Sequence, residues 1–335
     1  MKLSSWLLPA ALVAALAVTP GCKKEQAKSY KNLEGDITLD IPVFVQVGYT
    51  KTFMIDTLMT VTCPDGDPVG YYFTDPDTSK RDTLVTADGE ILKHHYTFTA
   101  VDKRESQTLS LTAFVKSGYY STSGSAKFTI VSSGLDGKGS LTGFDLKAFS
   151  GRFVDARDGR SYYYTKIGDL DWMRHNLAWE GAGRAYWDCA AISDIFGRYY
   201  TWEEAKTACP EGWRLPTDAE WTALKEGAEA GKDIAGLAGE LMGDLYFNGE
   251  KMWEYWREVK ITDKYGFSAI PVGYATNGGN VSDFQGTFAF AAFWTADEEN
   301  DKAVCRYMQM SKDIVYRGGM SKQDFAASVR CVKER

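Results

Sequence analysis

A strict two-residue alternation dominates the first third of this chain and then stops. In "ITLDIPVFVQV" the apolar residues fall at Ile37, Leu39, Ile41, Val43, Val45 and Val47. That spacing puts every second side chain on one face of a strand, and such a face has to cover a core. Pro42 lies inside the run and cannot donate to a ladder, so this strand is expected at an edge or at a bulge. The runs "KTFMIDTLMTVTC", "HHYTFTAV", "QTLSLTAFVKS" and "SAKFTIVSS" follow, with "PDGD", "DPDTS", "ADGE" and "KSGYYSTSG" between them. In "QTLSLTAFVKS" the alternating residues are Leu109, Leu111, Ala113 and Val115. Short strands separated by turn residues, with no helical period, predict an all-β immunoglobulin-like sandwich over residues 36–133.

The alternation ends at "SSGLDGKGSLTG". Its Gly and Ser content predicts a flexible linker over 134–149, with a second domain over 150–335. There the pattern changes. "FVDARDGRSYYYTKIG" predicts a hairpin turning at Asp158-Gly159. Thr201-x-x-Glu204 and Thr217-x-x-Glu220 are capping boxes and predict two helix starts. Trp202, Ala205 and Cys209 fall on one face of the first helix, and Trp221, Leu224 and Ala228 on one face of the second. The connection "CPEGWRLPTDAEW" (209–221) then needs no substrate to explain it. Pro210 and Gly212 stop one helix, Trp213 and Leu215 enter the core, and Pro216 packs on Trp221 ahead of the next helix.

The N-terminus is read as targeting rather than fold. A short basic start and the apolar run from Leu7 to Val18 lead into Thr19-Pro20-Gly21-Cys22 and then Lys23-Lys24-Glu25-Gln26. The pattern resembles a bacterial lipoprotein signal over residues 1–21, followed by a tether over 22–35. It implies a lipid-modified Cys22, and Lys23 at the next position implies the outer membrane of a Gram-negative envelope, on a face left open. Export permits disulfides. Beyond Cys22 the cysteines are Cys63, Cys189, Cys209, Cys305 and Cys331, and Cys63 is the odd one, expected in the sandwich core as a small apolar residue. The net charge of −7 supplies no basic surplus and argues against nucleic acid as a partner.

The segments "DARDGRSYYYTKIGDLDWMRHNL", "FGRYYTWEEAKTACPEGWRLPTDAEWTAL", "FWTADE" and "SVRCVKE" occur in that order between residue 155 and residue 334. They resemble the Fibrobacter succinogenes major paralogous domain, a family found at the C-terminus of secreted or lipid-anchored envelope proteins. The two helix starts, "GWRLPT" between them and a cysteine in the last strand are also similar to the C-type lectin fold, which the formylglycine-generating enzymes share. That similarity implies an α+β, C-type-lectin-like C-terminal domain behind the sandwich. It also implies a Cys209–Cys331 disulfide, which leaves Cys189 with Cys305. Pairing Cys189 with Cys209 and Cys305 with Cys331 is the alternative.

Catalytic signatures are scarce. His94, His95 and His175 are the only histidines, and no HExxH, CxxC or GxxxxGK occurs. Cys209 with His175 is better read as a disulfide cysteine beside a structural histidine than as a nucleophile and its base. No enzyme activity, cofactor or metal site is expected. The turns "DGDP" and "DARDG" lack calcium-loop spacing. A ligand site is placed instead in the long loop region, at Tyr274, Asn277, Asn280, Asp283 and Gln285, with Asp297 and Glu298 in the acidic run that follows. Aromatic faces stack on sugar rings, and amides and carboxylates bond hydroxyls. Phe293 and Trp294 are read as core. The expected role is non-catalytic binding of a glycan or surface protein by a module anchored through Cys22. A structural or tip subunit of a surface fibre is the alternative, and an oxidase-like enzyme on the same scaffold is a third reading.

Overall fold

The computed structural model describes residues 31–116, 119–132, 139–145, 150–277 and 283–335. Cys22, the rest of the signal and Asn280 lie outside the described residues.

The first unit carries strands β1 (Phe44–Gln46), β2 (Thr50–Met54), β3 (Gly70–Thr74), β4 (Arg81–Val85), β5 (His95–Thr99), β6 (Ser106–Phe114) and β7 (Thr122–Val131). They form a five-stranded sheet of order β1-β7-β6-β3-β4 and a β2-β5 pair. The two layers meet through aromatic rings. Phe53 lies 5.5 Å from Phe73, Phe73 stacks on Tyr96 at 4.1 Å, and Phe98 meets Phe128 at 4.9 Å. The alternation read in "QTLSLTAFVKS" becomes burial of Leu109, Leu111 and Ala113.

Two expectations are corrected here. Only Phe44–Gln46 of the first run forms a ladder, parallel to β7. Upstream, Ile37 and Leu39 are buried without ladder bonds. Ile37 crosses so close to β7 that a Cβ at Gly124 would stand 2.2 Å from its carbonyl oxygen; no other residue type allows that approach. In "KTFMIDTLMTVTC" the strand stops at Met54, and a helical turn, Ile55–Leu58, buries its two ends at i and i+3.

The second unit is built from β8 (Ser150–Val154), β9 (Ser161–Ile167), β10 (Leu170–Met173), α1 (Ala190–Phe196), β11 (Tyr200–Thr201), α2 (Trp202–Ala208), α3 (Asp218–Thr222), β12 (Ile234–Ala235), β13 (Tyr274–Thr276), β14 (Phe284–Gln285), β15 (Phe290–Glu299), β16 (Lys302–Gln309), β17 (Lys312–Met320), β18 (Phe325–Ala327) and β19 (Val332–Glu334). Three four-stranded sheets result: β8-β9-β10-β19, β11-β18-β13-β14 and β12-β17-β16-β15. Trp172, Trp221, Trp253, Phe267 and Phe293 fill the core beneath the third sheet.

The α+β, C-type-lectin-like C-terminal domain is therefore corrected. Strands take 41% of the described residues and helices 11%, in many small sheets, and no separate α+β domain stands out. The capping boxes do start helices: Thr201 and Thr217 each accept from the N3 backbone while Glu204 and Glu220 reach back. Capping fixes where a helix begins, not how far it runs. α2 ends after seven residues because Cys209 is extended and Pro210 follows it. α3 spans five residues, so Ala228 is not on it.

Part of the expected linker is ordered. Leu141–Thr142 pairs with Tyr246–Phe247 in a small sheet of the second unit. Asn248 bonds both the Ser140 carbonyl (2.8 Å) and the Ile130 carbonyl (3.3 Å), and Phe44 of β1 packs on Tyr186 at 5.4 Å. The units thus share a joint of specific contacts.

Candidate functional site

The β13-β14 ladder brings together four of the residues singled out in the sequence. Tyr274 lies opposite Gln285 and donates its hydroxyl to Gln285 Oε1 at 3.3 Å. Beyond the ladder, Asn277 Nδ2 donates to Asp283 Oδ2 at 3.2 Å. Asp297 and Glu298 do not join them. They sit at the far end of β15, roughly 25 Å along the strand from Phe290 at about 3.3 Å per residue. There they have structural partners: Asp297 Oδ2 accepts from the Asp218 backbone N–H at 2.6 Å and caps α3, and Glu298 pairs with Lys322 at 2.6 Å. The run of carboxylates at and after the bulge in β15 supplies here a helix cap and a surface ion pair, apart from the amide cluster.

Tyr274 has a second environment that the sequence reading missed. With Phe290, Ala292, Tyr307, Met320 and Phe325 it lines a cavity of about 220 Å³. The geometry follows from sheet registry. Ala292 pairs with Tyr307, and Tyr307 with Tyr316; residues directly opposite share a face. On the other flank of β15, Gly273 bridges Ala291 and puts Tyr274 beside the same face. A side chain at Gly273, where φ is +74°, would bring its Cβ 2.0 Å from the Gln285 carbonyl oxygen, so this close crossing requires glycine. Two aromatic columns result. Tyr307 stacks on Tyr316 at 5.1 Å with the planes 14° apart, and Tyr274 stacks on Phe325 at 5.1 Å with the planes 23° apart. Ala292, the smallest residue of the row, is the floor between them.

The reverse face of the sheet is fixed. Arg306 is fully buried; its Nε donates to Asp218 Oδ1 at 2.6 Å and its Nη1 to the Lys232 carbonyl at 2.7 Å. Arg317 Nε bonds the other Asp218 oxygen at 2.9 Å. This anchorage from behind makes the open face a rigid platform. Polar groups edge it: Gln309 Nε2 donates to Tyr316 Oη at 2.8 Å. Burial raises the Tyr307 pKa, with Asp233 nearby adding to the effect, so the phenol stays neutral. The signal for Tyr307 was present in "AVCRYMQM", where alternation sets it on the face of Cys305 and Ala303. Nothing local revealed that this face meets Tyr274 and Phe325.

The cysteines divide differently from the fourfold expectation. Cys209 and Cys331 form a disulfide with Cα atoms 5.9 Å apart, tying the end of α2 to the residue before β19. Cys189 and Cys305 are free and buried, which corrects their pairing. They belong to separate hydrophobic clusters, Cys189 at the start of α1 and Cys305 on β16 opposite Trp294. Burial pushes the Cys305 thiol up to about 12 and raises Cys189 as well, so neither is an activated thiol. Cys63 is free and buried in the sandwich core. "DARDG" is a bolt. Asp155, 1% exposed, receives three bonds from the Arg157 guanidinium, which also bonds the Ala208 carbonyl and lies 4.0 Å above Trp179.

Fold and site define a mostly-β, disulfide-closed module with an aromatic cavity on one sheet face. The chain belongs to the Fibrobacter succinogenes major domain family, whose model matches residues 165–333. Comparison with curated proteins and with solved structures returned no match.

Proposed function

We propose that the protein is a lipid-anchored component of a bacterial envelope, held by Cys22, that displays a non-catalytic binding module for a glycan or a surface protein. The observation that carries this reading is the cavity over Ala292. Four rings, a methionine and an alanine line it on a sheet braced from behind; Gln285 bonds its Tyr274, and Gln309 bonds Tyr316, which stacks on its Tyr307. Small concave apolar sites with a few polar groups are where proteins hold ligands. Support for a non-catalytic role comes from the thiols: Cys209 is bonded to Cys331, and burial raises the pKa of Cys189 and Cys305.

The sandwich buries Leu33, Ile37 and Leu39 of its own N-terminal segment. A core filled by its own chain needs no strand from a neighbour, which favours display of a binding module over the fibre-subunit reading. The test is a glycan array and an envelope-protein overlay with the full-length chain in detergent, repeated with Tyr307→Ala. A ligand bound by the native chain and lost in the variant is expected. Ligands bound equally by both would remove the cavity from the proposal. For the anchor, mass spectrometry of the membrane-extracted protein is expected to find acylated Cys22, and Cys22→Ser to release the chain from the membrane fraction.

A further inference from the structure

Resting on the reading of the Ala292 cavity as a ligand site, we infer that it is a sandwich slot for one pyranose ring whose ring substituents are all equatorial, a gluco-configured unit of a glycan. The argument begins with width. Tyr307 lies on β16, which pairs with β15, and Tyr274 follows Gly273, which bridges β15 on its other flank; two strand spacings put their backbones about 9.6 Å apart. A flat ring held between two aromatic faces needs about 3.5–4.0 Å of carbon contact on each side, roughly 7–8 Å in all. The columns therefore admit one ring and no second layer. Volume agrees: about 220 Å³ is below the roughly 300–1,000 Å³ of pockets that enclose a drug-sized molecule.

The walls then select the ring. Both carry aromatic faces, and the ends are closed by Phe290 and Met320, so no wall presents a hydrogen-bonding group to the centre of the slot. The Tyr274 hydroxyl is already given to Gln285. An axial hydroxyl would press against a ring wall and lose its water without replacement. A pyranose with every substituent equatorial shows only C–H to both walls and sends its hydroxyls outward in the ring plane. At that periphery stand the groups that can receive them: the Gln285 amide, exposed at the slot's outer edge, the Gln309 amide with the Tyr316 hydroxyl, and the neutral Tyr307 phenol. Gly318 lets the Met320 end close down beside Tyr307, since a Cβ there would meet Met320 at 2.8 Å and Tyr307 at 3.2 Å.

The test is calorimetric titration of the full-length chain in detergent with three probes of equal length: a β-gluco-oligosaccharide, a β-manno-oligosaccharide with an axial 2-hydroxyl and a β-galacto-oligosaccharide with an axial 4-hydroxyl. The gluco-configured probe is expected to bind at least about tenfold tighter than either axial probe. Tyr307→Ala, at a half-buried surface position, is expected to weaken it by about tenfold or more, and Gln309→Ala by less. Far-ultraviolet circular dichroism and an unchanged denaturation midpoint establish that the variants are folded. Equal affinity for the three probes, or preference for an axial one, overturns the inference and leaves the ligand-site reading standing. Gluco-binding that survives Tyr307→Ala overturns it as well. Silence toward all three sugars also overturns it, and the ligand-site reading then falls only if every ligand from the array and overlay is held equally by Tyr307→Ala.

Discussion

His175 shows what a single buried group does to stability. Its Nε2 is buried without a hydrogen-bond partner among the described residues, and the rings of Phe144, Tyr163 and Tyr162 lie 5.0, 5.6 and 6.5 Å from its own. Burial, with Arg330 and Arg174 adding repulsion, lowers its pKa from 6.5 to about 3. The unfolded chain binds one more proton than the folded chain between those values. Stability from this residue is therefore full above pH 6.5 and is lost on acidification toward pH 3, at about 1.4 kcal/mol per pH unit. His175→Phe is expected to flatten that part of the pH dependence, read from urea midpoints at pH 7 and pH 5. Parallel losses in both proteins would refute it. Asp218 and Glu298 make a second contrast. Asp218→Asn leaves the buried Arg306 guanidinium without its carboxylate and is expected to cost about 3–5 kcal/mol. Glu298→Gln breaks an exposed pair with Lys322 and is expected to leave the urea midpoint essentially unchanged.

At the scale of elements, the short helices are held by their ends. Thr201→Ala removes a capping box and is expected to lower stability by about 1 kcal/mol. The disulfide does more. It links residues 122 apart in sequence, and chain-entropy arguments give about 5 kcal/mol for a loop of that length. Cys209→Ser with Cys331→Ser is expected to lose several kcal/mol in urea unfolding, and thiol counting on the denatured native chain is expected to leave one disulfide intact beside the free cysteines. The "CPEGWRLPTDAEW" stretch is explained here. Pro210 ends α2, the Trp213 ring stacks on Phe153 at 4.4 Å, and Thr217 starts α3. Arg214 holds Glu220 with two bonds, 2.9 and 2.6 Å, and its backbone bridges Val332 beside the disulfide.

For the molecule as a whole, the joint between the units is a small set of contacts, in which Phe44 on Tyr186 and Asn248 on Ile130 and Ser140 recur on both sides. Phe44→Ala with Asn248→Ala is expected to split a calorimetric transition of the native chain into two, with the core of each unit intact. A single unchanged transition would mean that the joint transmits no stability.

Local physics made much of this legible in the chain itself. Alternation marked Leu109, Leu111 and Ala113 as core because a strand sends every second side chain to one face, and the capping boxes marked both helix starts because a threonine and a glutamate three residues on satisfy the same backbone donors. Tyr274 and Gln285 were marked by their chemistry. Helix length, the unpaired state of Cys189 and Cys305, and the separation of Asp297 from the amide cluster were settled elsewhere. So was the slot, whose walls come from residues 274, 307 and 325 and whose floor is Ala292. A cavity exists only where several strands are brought side by side in register, and no local pattern contains the register.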